Sequence, residues 1–166
     1  MSGYAAVNYS KTESKDSAFD NVLVAPILHY NYKDLAMLET EFELLNNADG
    51  STEVLLEYAT IDLFLNDYMT LVAGKFISPI GPLTETGFQL RGGFPVGEMR
   101  GNYAVYVGNG PVLHGEVEGG ELAVGDIEAE GRTSDGDGNK VFGGRIGFLP
   151  ISGLEVGLSL ASGKRR

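Results

Sequence analysis

The segment LAMLETEFELLN (residues 35–46) settles into an alternation of apolar and polar side chains from Leu38 onward. Leu38, Thr40, Phe42 and Leu44 fall on one side of an extended chain, and Glu39, Glu41 and Glu43 on the other. Successive strand side chains point to opposite faces, so this period specifies a strand with one apolar and one acidic face. One such strand is not stable alone; it needs neighbours that present the same two faces. The chain supplies about nine, over 3–10, 20–32, 35–46, 52–64, 68–77, 85–95, 99–108, 139–149 and 154–161.

The faces can be followed from strand to strand. Val22, Val24, Pro26, Leu28, Tyr30 and Tyr32 oppose Asn21, His29 and Asn31. Val54, Leu56 and Tyr58 read as outward against Glu53 and Glu57, and Phe88, Leu90 and Phe94 oppose Glu85, Gln89 and Arg91. Tyr103, Val105 and Val107 oppose Arg100, Asn102 and Tyr106, and Phe142, Ile146 and Phe148 oppose Arg145. Leu154, Val156, Leu158 and Leu160 oppose Glu155 and Ser159. YMTLVAGKFI (68–77) is apolar on both sides except at Thr70 and Lys75 and fixes its own parity least.

Connections alternate as well. Short turns fall at 33–34, 66–67, 95–98 and 150–153, and longer ones at 11–19, 46–51, 78–84 and 109–138. Short turns at one end and longer loops at the other are the habit of outer-membrane barrels. Tyr9, Tyr30, Tyr32, Tyr58, Phe64, Tyr68, Phe76, Phe94 and Phe148 recur near strand ends, as an interfacial girdle would. The expected fold is all-β: an antiparallel up-and-down transmembrane-type β-barrel, or partial barrel, of about 8–9 strands in a single domain over 1–166. A soluble β-sandwich also has period-2 strands. It is disfavoured because the apolar faces are complete and the polar faces carry charge in mid-strand.

Composition closes off other classes. No apolar run approaches the roughly 18 residues of a membrane helix. A net charge of −11 argues against a nucleic-acid partner, which needs clustered Lys and Arg. The chain has no cysteine, so disulfides, thiolate metal sites and thiol nucleophiles are excluded. MSGYAAVNYS carries no basic region followed by an apolar run, and SLASGKRR stops without an aromatic residue. The expectation is a mature or trimmed start and a missing C-terminal part.

YATIDLFLNDYMTLVAGKFISPIG (58–81), FQLRGGFPVGEMRGNYAVYVGNGP (88–111) and DGNKVFGGRIGFLPISGLEVGLS (137–159) resemble bacterial outer-membrane porins, the group allied to phosphate-selective porins. AGKF, LRGGFP and YVGNGP carry the resemblance most specifically. It implies a bacterial outer-membrane location and a larger, commonly homotrimeric barrel that passes small hydrophilic solutes or anions by diffusion, in contact with lipid and lipopolysaccharide. Two features depart from that pattern. Such porins fold a long loop into the lumen after the strand ending in GKF, whereas here Ile80-Gly81-Pro82-Leu83 leads almost at once into the next strand. Nine strands are also fewer than such a barrel has, which agrees with a fragment.

If the apolar side faces lipid, Glu39, Glu41, Glu43, Glu53 and Glu57 line the lumen from two adjacent strands, and Lys75, Arg91, Arg100 and Arg145 from the four that follow. Acids facing bases across water set up a transverse field that sorts solutes by charge. Arginines also suit an anion path, because a guanidinium holds phosphate or carboxylate through paired hydrogen bonds. The simpler alternative is a wall of charges that only solvate the lumen and pair weakly with one another. Phosphate selectivity calls for a denser Lys/Arg ladder than these four residues give.

Asp135, Asp137 and Asn139 in SDGDGN follow the opening of a calcium loop, but Lys140 stands where glycine is required and Ile146 where the closing Glu belongs. The expectation there is a hairpin loop and no metal. Glu116, Glu118, Glu121, Asp126, Glu128 and Glu130 make 109–138 an acidic outer loop, solvated or bridged to lipopolysaccharide by divalent ions. Two histidines, His29 and His114, show no metal-ligand spacing, and no glycine-rich phosphate loop precedes a helix. No cofactor and no enzymatic activity are expected. The functional expectation is a porin-like channel; the alternatives are a soluble β-sandwich binding module and a non-conducting structural barrel of the envelope.

Overall fold

The computed structural model describes residues 1–12, 15–81, 83–110, 112–118, 121–128 and 138–163; at 12, 15, 16, 20, 112–118 and 121–128 it describes the backbone alone. The described chain is all-β. Its strands are β1 (Ser2–Thr12), β2 (Lys15–Tyr32), β3 (Ala36–Asn46), β4 (Thr52–Asn66), β5 (Met69–Ile77), β6 (Thr84–Val96), β7 (Met99–Gly108), β8 (Val112–Glu118), β9 (Glu121–Glu128), β10 (Val141–Ile151) and β11 (Leu154–Gly163). Nine form one up-and-down sheet in the order β1-β2-β3-β4-β5-β6-β7-β10-β11, every neighbouring pair antiparallel. β1 and β11 are its edges and do not pair with each other, so the sheet is not closed into a barrel.

The segment 109–138, expected as a loop throughout, contains β8 and β9, which pair as a separate two-stranded hairpin. Its sequence holds Gly119-Gly120, the dipeptide that suits a two-residue hairpin turn. The acidity of the segment masked that signal.

Antiparallel register carries each face across the sheet, since directly opposed residues share a side. Leu38 of β3 stands opposite Tyr30 of β2 and Ile61 of β4, and Val105 of β7 opposite Leu90 of β6 and Gly144 of β10. These residues build the apolar face. Glu39 stands opposite His29 and Thr60, and Gln89 opposite Val72 and Tyr106, on the other face.

Large apolar side chains are exposed on one face and several polar ones are recessed on the other. Leu158, Leu160 and Phe88 are 79%, 76% and 57% exposed, while Asp62, Gln89 and Glu85 are 1%, 3% and 5%. The charged face is therefore the recessed, inner one. The hydrophobic cluster there is small: Val72, Phe76 and Tyr106, with Val141 against it. Phe76 and Tyr106 meet edge to face at 6.1 Å.

Of several register shifts in the sheet, one falls within the acidic strands. Between Glu41 and Phe42 the β3–β4 register slips, pairing Glu41 with Tyr58 but Phe42 with Leu56, and Glu57 is the extra residue of a bulge. A single inserted residue reverses every later side chain. Past the bulge, Tyr58, Thr60 and Asp62 face inward, whereas the unbroken alternation of the sequence turns Tyr58 outward. Gly74 lies opposite Thr60 with φ of 128°, and a Cβ there would run into the Ala59 carbonyl oxygen, so only glycine fits beside the distorted strand.

The four tight turns lie at 33–35, 67–68, 97–98 and 152–153, all at one end of the sheet. Outward aromatics gather near that end. Phe94 packs on Phe148 and Tyr103 at 6.1 and 6.3 Å, and Tyr103 donates its hydroxyl proton to the Tyr68 carbonyl at 3.1 Å. The Phe94 ring lies over Gly101, where a Cβ would sit 2.5 Å from it. Tyr30 and Tyr32 extend this group on β2. Tyr58, Phe64 and Phe76 do not belong to it: Tyr58 and Phe76 are on the inner face, and Phe64 opposes Thr70, which opposes inward Arg91.

Candidate charged inner face

β3 supplies the acidic half through the alternation that defines it. Glu39, Glu41 and Glu43 all point inward, each opposite a non-acidic residue. The Glu39 carboxylate lies 2.8 Å from His29 Nδ1. Glu43 accepts the Tyr4 hydroxyl proton at 2.8 Å, and the Tyr58 hydroxyl reaches the carboxylates of Glu39 and Glu41. Glu53, opposite Leu45, continues this half toward the loop end. Glu57 occupies the bulge itself and so stands outside the regular inward row.

The basic half lies on β6, β7 and β10. Arg91 opposes Thr70 and Ala104, Arg145 opposes Ala104, and Arg100 opposes Pro95 and Leu149 near the tight-turn end, all on the inner face. Lys75 does not join them. It stands opposite Ala59 and Thr86, in line with outward Ala73 and Ile77, and donates its ammonium to the Leu56 carbonyl at 2.7 Å. The reason is the segment's lack of a polar face to set its phase; packing of Val72 and Phe76 inward decides it, and Lys75 falls on the opposite side.

Two of the three inner arginines are matched by acids. Arg91 donates to Asp62 Oδ2 at 2.6 Å, with the carboxylate buried and the guanidinium half exposed. The second oxygen, Asp62 Oδ1, is buried and accepts no hydrogen bond. Arg145 donates to Glu155 Oε1 at 2.6 Å, and Asn102 Nδ2 donates to the same oxygen at 3.1 Å. Glu85, also recessed, accepts the Gly110 amide at 3.0 Å, which ties the end of β7's following segment to the wall.

A cavity of about 480 Å³ opens between these groups, lined by Thr70, Gln89, Arg91, Asn102, Arg145 and Glu155. Pro79 also lines this cavity, so the short connection after β5 comes up beside it. Ser78 anchors it, its amide donating to the Leu83 carbonyl at 2.7 Å and its side chain meeting the Tyr106 hydroxyl.

Sequence parity alone missed Asp62, because the slip at Glu57 sends it inward. A signal exists: the apolar positions change from even (Val54, Leu56) to odd (Ile61, Leu63) within β4. Asp135 and Asp137 lie outside the described residues, and no group of three or more metal-binding side chains occurs among those described. At the loop end, Asp49 accepts the Ser51 hydroxyl at 2.6 Å and the Ser51 amide at 2.8 Å. These bonds, the hydroxyl first, hold its carboxyl below the usual range.

Comparison with protein-family models, with curated proteins and with solved structures finds no match to this chain.

Proposed function

We propose that this sheet is a wall of a porin-like channel of the bacterial outer membrane, its apolar face against lipid and its charged face along a water-filled path for small hydrophilic solutes or ions. One observation carries the reading: the apolar face is the exposed one and the charged face the recessed one. A soluble monomer rarely leaves a contiguous apolar patch beyond a few hundred Å², whereas here outward apolar residues run across all nine strands of the sheet.

Dimensions agree. Strands of the large sheet run from the 9 residues of β5 to the 18 of β2, and a tilted transmembrane strand needs about 9–11. β8 and β9, at 7 and 8 residues, fall short and lie in the long connection between β7 and β10. The outward aromatics beside the tight turns suit the level of lipid headgroups. The edges of β1 and β11 would need pairing in lipid, where unsatisfied N–H and C=O groups are costly. With nine alternating strands, β1 and β11 run in the same direction, so an odd number of further strands, from this or another chain, would close an antiparallel ring.

Refolding the full chain into phospholipid vesicles and into planar bilayers tests the reading. The expected results are a heat-modifiable, vesicle-bound form and stepwise ion conductance. A monodisperse monomer in detergent-free buffer, by sedimentation velocity, would overturn it in favour of a soluble β module. Stable insertion without conductance would favour a structural barrel of the envelope.

A further inference from the structure

We infer that the path along the inner face admits small cations in preference to anions, a step that rests on the channel reading and names its solute class. Acids outnumber bases on the inner face. Inward carboxylates come from Glu39, Glu41, Glu43, Glu53, Asp62, Glu85 and Glu155, against guanidiniums from Arg91, Arg100 and Arg145. Lys75, the fourth base expected there, is on the outer face.

Placement sharpens this balance. Arg91 and Arg145 are each held at 2.6 Å by a carboxylate, so among the described residues the basic half presents two neutral pairs and one further guanidinium, that of Arg100. Among the described residues no Lys or Arg is paired with the acidic half. Its carboxylates are met by tyrosine hydroxyls and a histidine ring. A hydroxyl donates a hydrogen bond without cancelling a charge. The buried Asp62 Oδ1, with no donor, adds an unused acceptor on the strand next to the ladder. Uniform sign in a recessed surface raises the local concentration of counter-ions and excludes co-ions. An anion entering here would meet two of three guanidiniums already engaged and a row of carboxylates opposite.

The absence of cysteine permits a direct reading. Leu55 faces inward opposite Glu43, two residues from Glu53, and is 42% exposed. Ser159 faces inward opposite Arg145 and is exposed. In the full chain refolded in detergent, Leu55→Cys and Ser159→Cys are each treated with a quaternary-ammonium and a sulfonate methanethiosulfonate of similar size. The expected cation-to-anion rate ratio is about 10 at residue 55 and near one at residue 159, within the range that charged clefts impose on approach rates. Glu39→Gln, Glu41→Gln and Glu43→Gln together keep the hydrogen-bond acceptors and should bring residue 55 to within about twofold of parity. Salt at 1 M, with a screening length of about 3 Å, should do the same.

A ratio at or below one at residue 55, a ratio that the three substitutions leave unchanged, or a thiol there that neither reagent reaches would overturn the inference. The reversal potential under a KCl gradient is read separately. Cation-favouring potentials extend the result to permeation, and anion-favouring ones overturn it. Absence of any conductance removes the channel reading while the labelling ratios still decide the charge preference.

Discussion

Replacing Val105 by arginine separates a lipid-facing wall from a solvated one by several kcal/mol. Val105 is on the outer face of β7, 51% exposed, between Leu90 of β6 and Gly144 of β10. It lies six residues beyond Met99, which follows the Gly97-Glu98 turn. At about 3.3 Å per residue that is roughly 20 Å of strand. A tilt near 45° projects it to about 14 Å, near the middle of a hydrocarbon layer about 30 Å thick. Arginine at that depth on a barrel's lipid face costs about 2–4 kcal/mol, against about 0–1 near the interface. Met99, outward at the turn end and 37% exposed, is the interfacial control.

In water the two substitutions would be equivalent, since exposed positions away from special features usually change stability by less than about 0.5 kcal/mol. Urea titration of the chain folded into phospholipid vesicles, followed by tyrosine fluorescence, measures the difference. The expected result is Val105→Arg destabilised by about 2–4 kcal/mol and Met99→Arg by no more than about 1. Equal, small effects at both positions would refute the assignment of this face to lipid.

Two further predictions follow from the inner face and the loop end. Arg91→Ala should destabilise more than Asp62→Ala, because it strands a buried carboxylate while the converse frees a guanidinium that already reaches water. Losing one partner of a fully buried pair costs about 3–5 kcal/mol, and the half-exposed Arg91 brings the expectation to the lower end or below, with Asp62→Ala near 1; the same urea titration ranks them, and the reverse order would deny the pair its burial asymmetry. Asp49 should stay ionised below the usual carboxylate range, so the contribution of its Ser51 bonds is present above the unfolded-state pKa and lost as pH falls through the depressed folded value. The Ser51 amide proton resonance, followed by NMR from neutral to acid pH, should move with that lowered midpoint and lose its dependence in Asp49→Asn.

Much of this architecture is legible in period-2 patterning, because burial of one face forces the same alternation on every strand. β2, β3, β6, β7, β10 and β11 present the faces that their sequences specify, as Leu38 against Glu39 and Phe88 against Gln89 illustrate. Patterning weakens where polarity no longer differs between faces. β5 is apolar on both, so its phase is set by which side chains fill the space under Tyr106, and that is a tertiary fact. Lys75 was thereby placed by its neighbours and not by its own charge. The hairpin of β8 and β9 was hidden for a different reason, since net acidity describes solvation and carries no information about turn geometry.

The bulge at Glu57 has the widest consequence, because parity is a cumulative property: one added residue changes the face of everything that follows in the strand. Continued without the slip, β4 would turn Asp62 outward beside Ile61's apolar neighbours and leave Arg91 without its acid. The basic half would then hold Arg91 and Arg100 unmatched beside the Arg145–Glu155 pair, facing the acids of β3 as expected for a transverse field. With the slip, Asp62 reaches Arg91 at 2.6 Å, and Glu155 does the same for Arg145. Two of the three inner guanidiniums are thus neutralised, while Glu39, Glu41 and Glu43 face hydroxyls and a single imidazole. A field between two walls becomes a single acidic wall, which, on the proposed channel reading, concentrates cations instead of orienting dipoles.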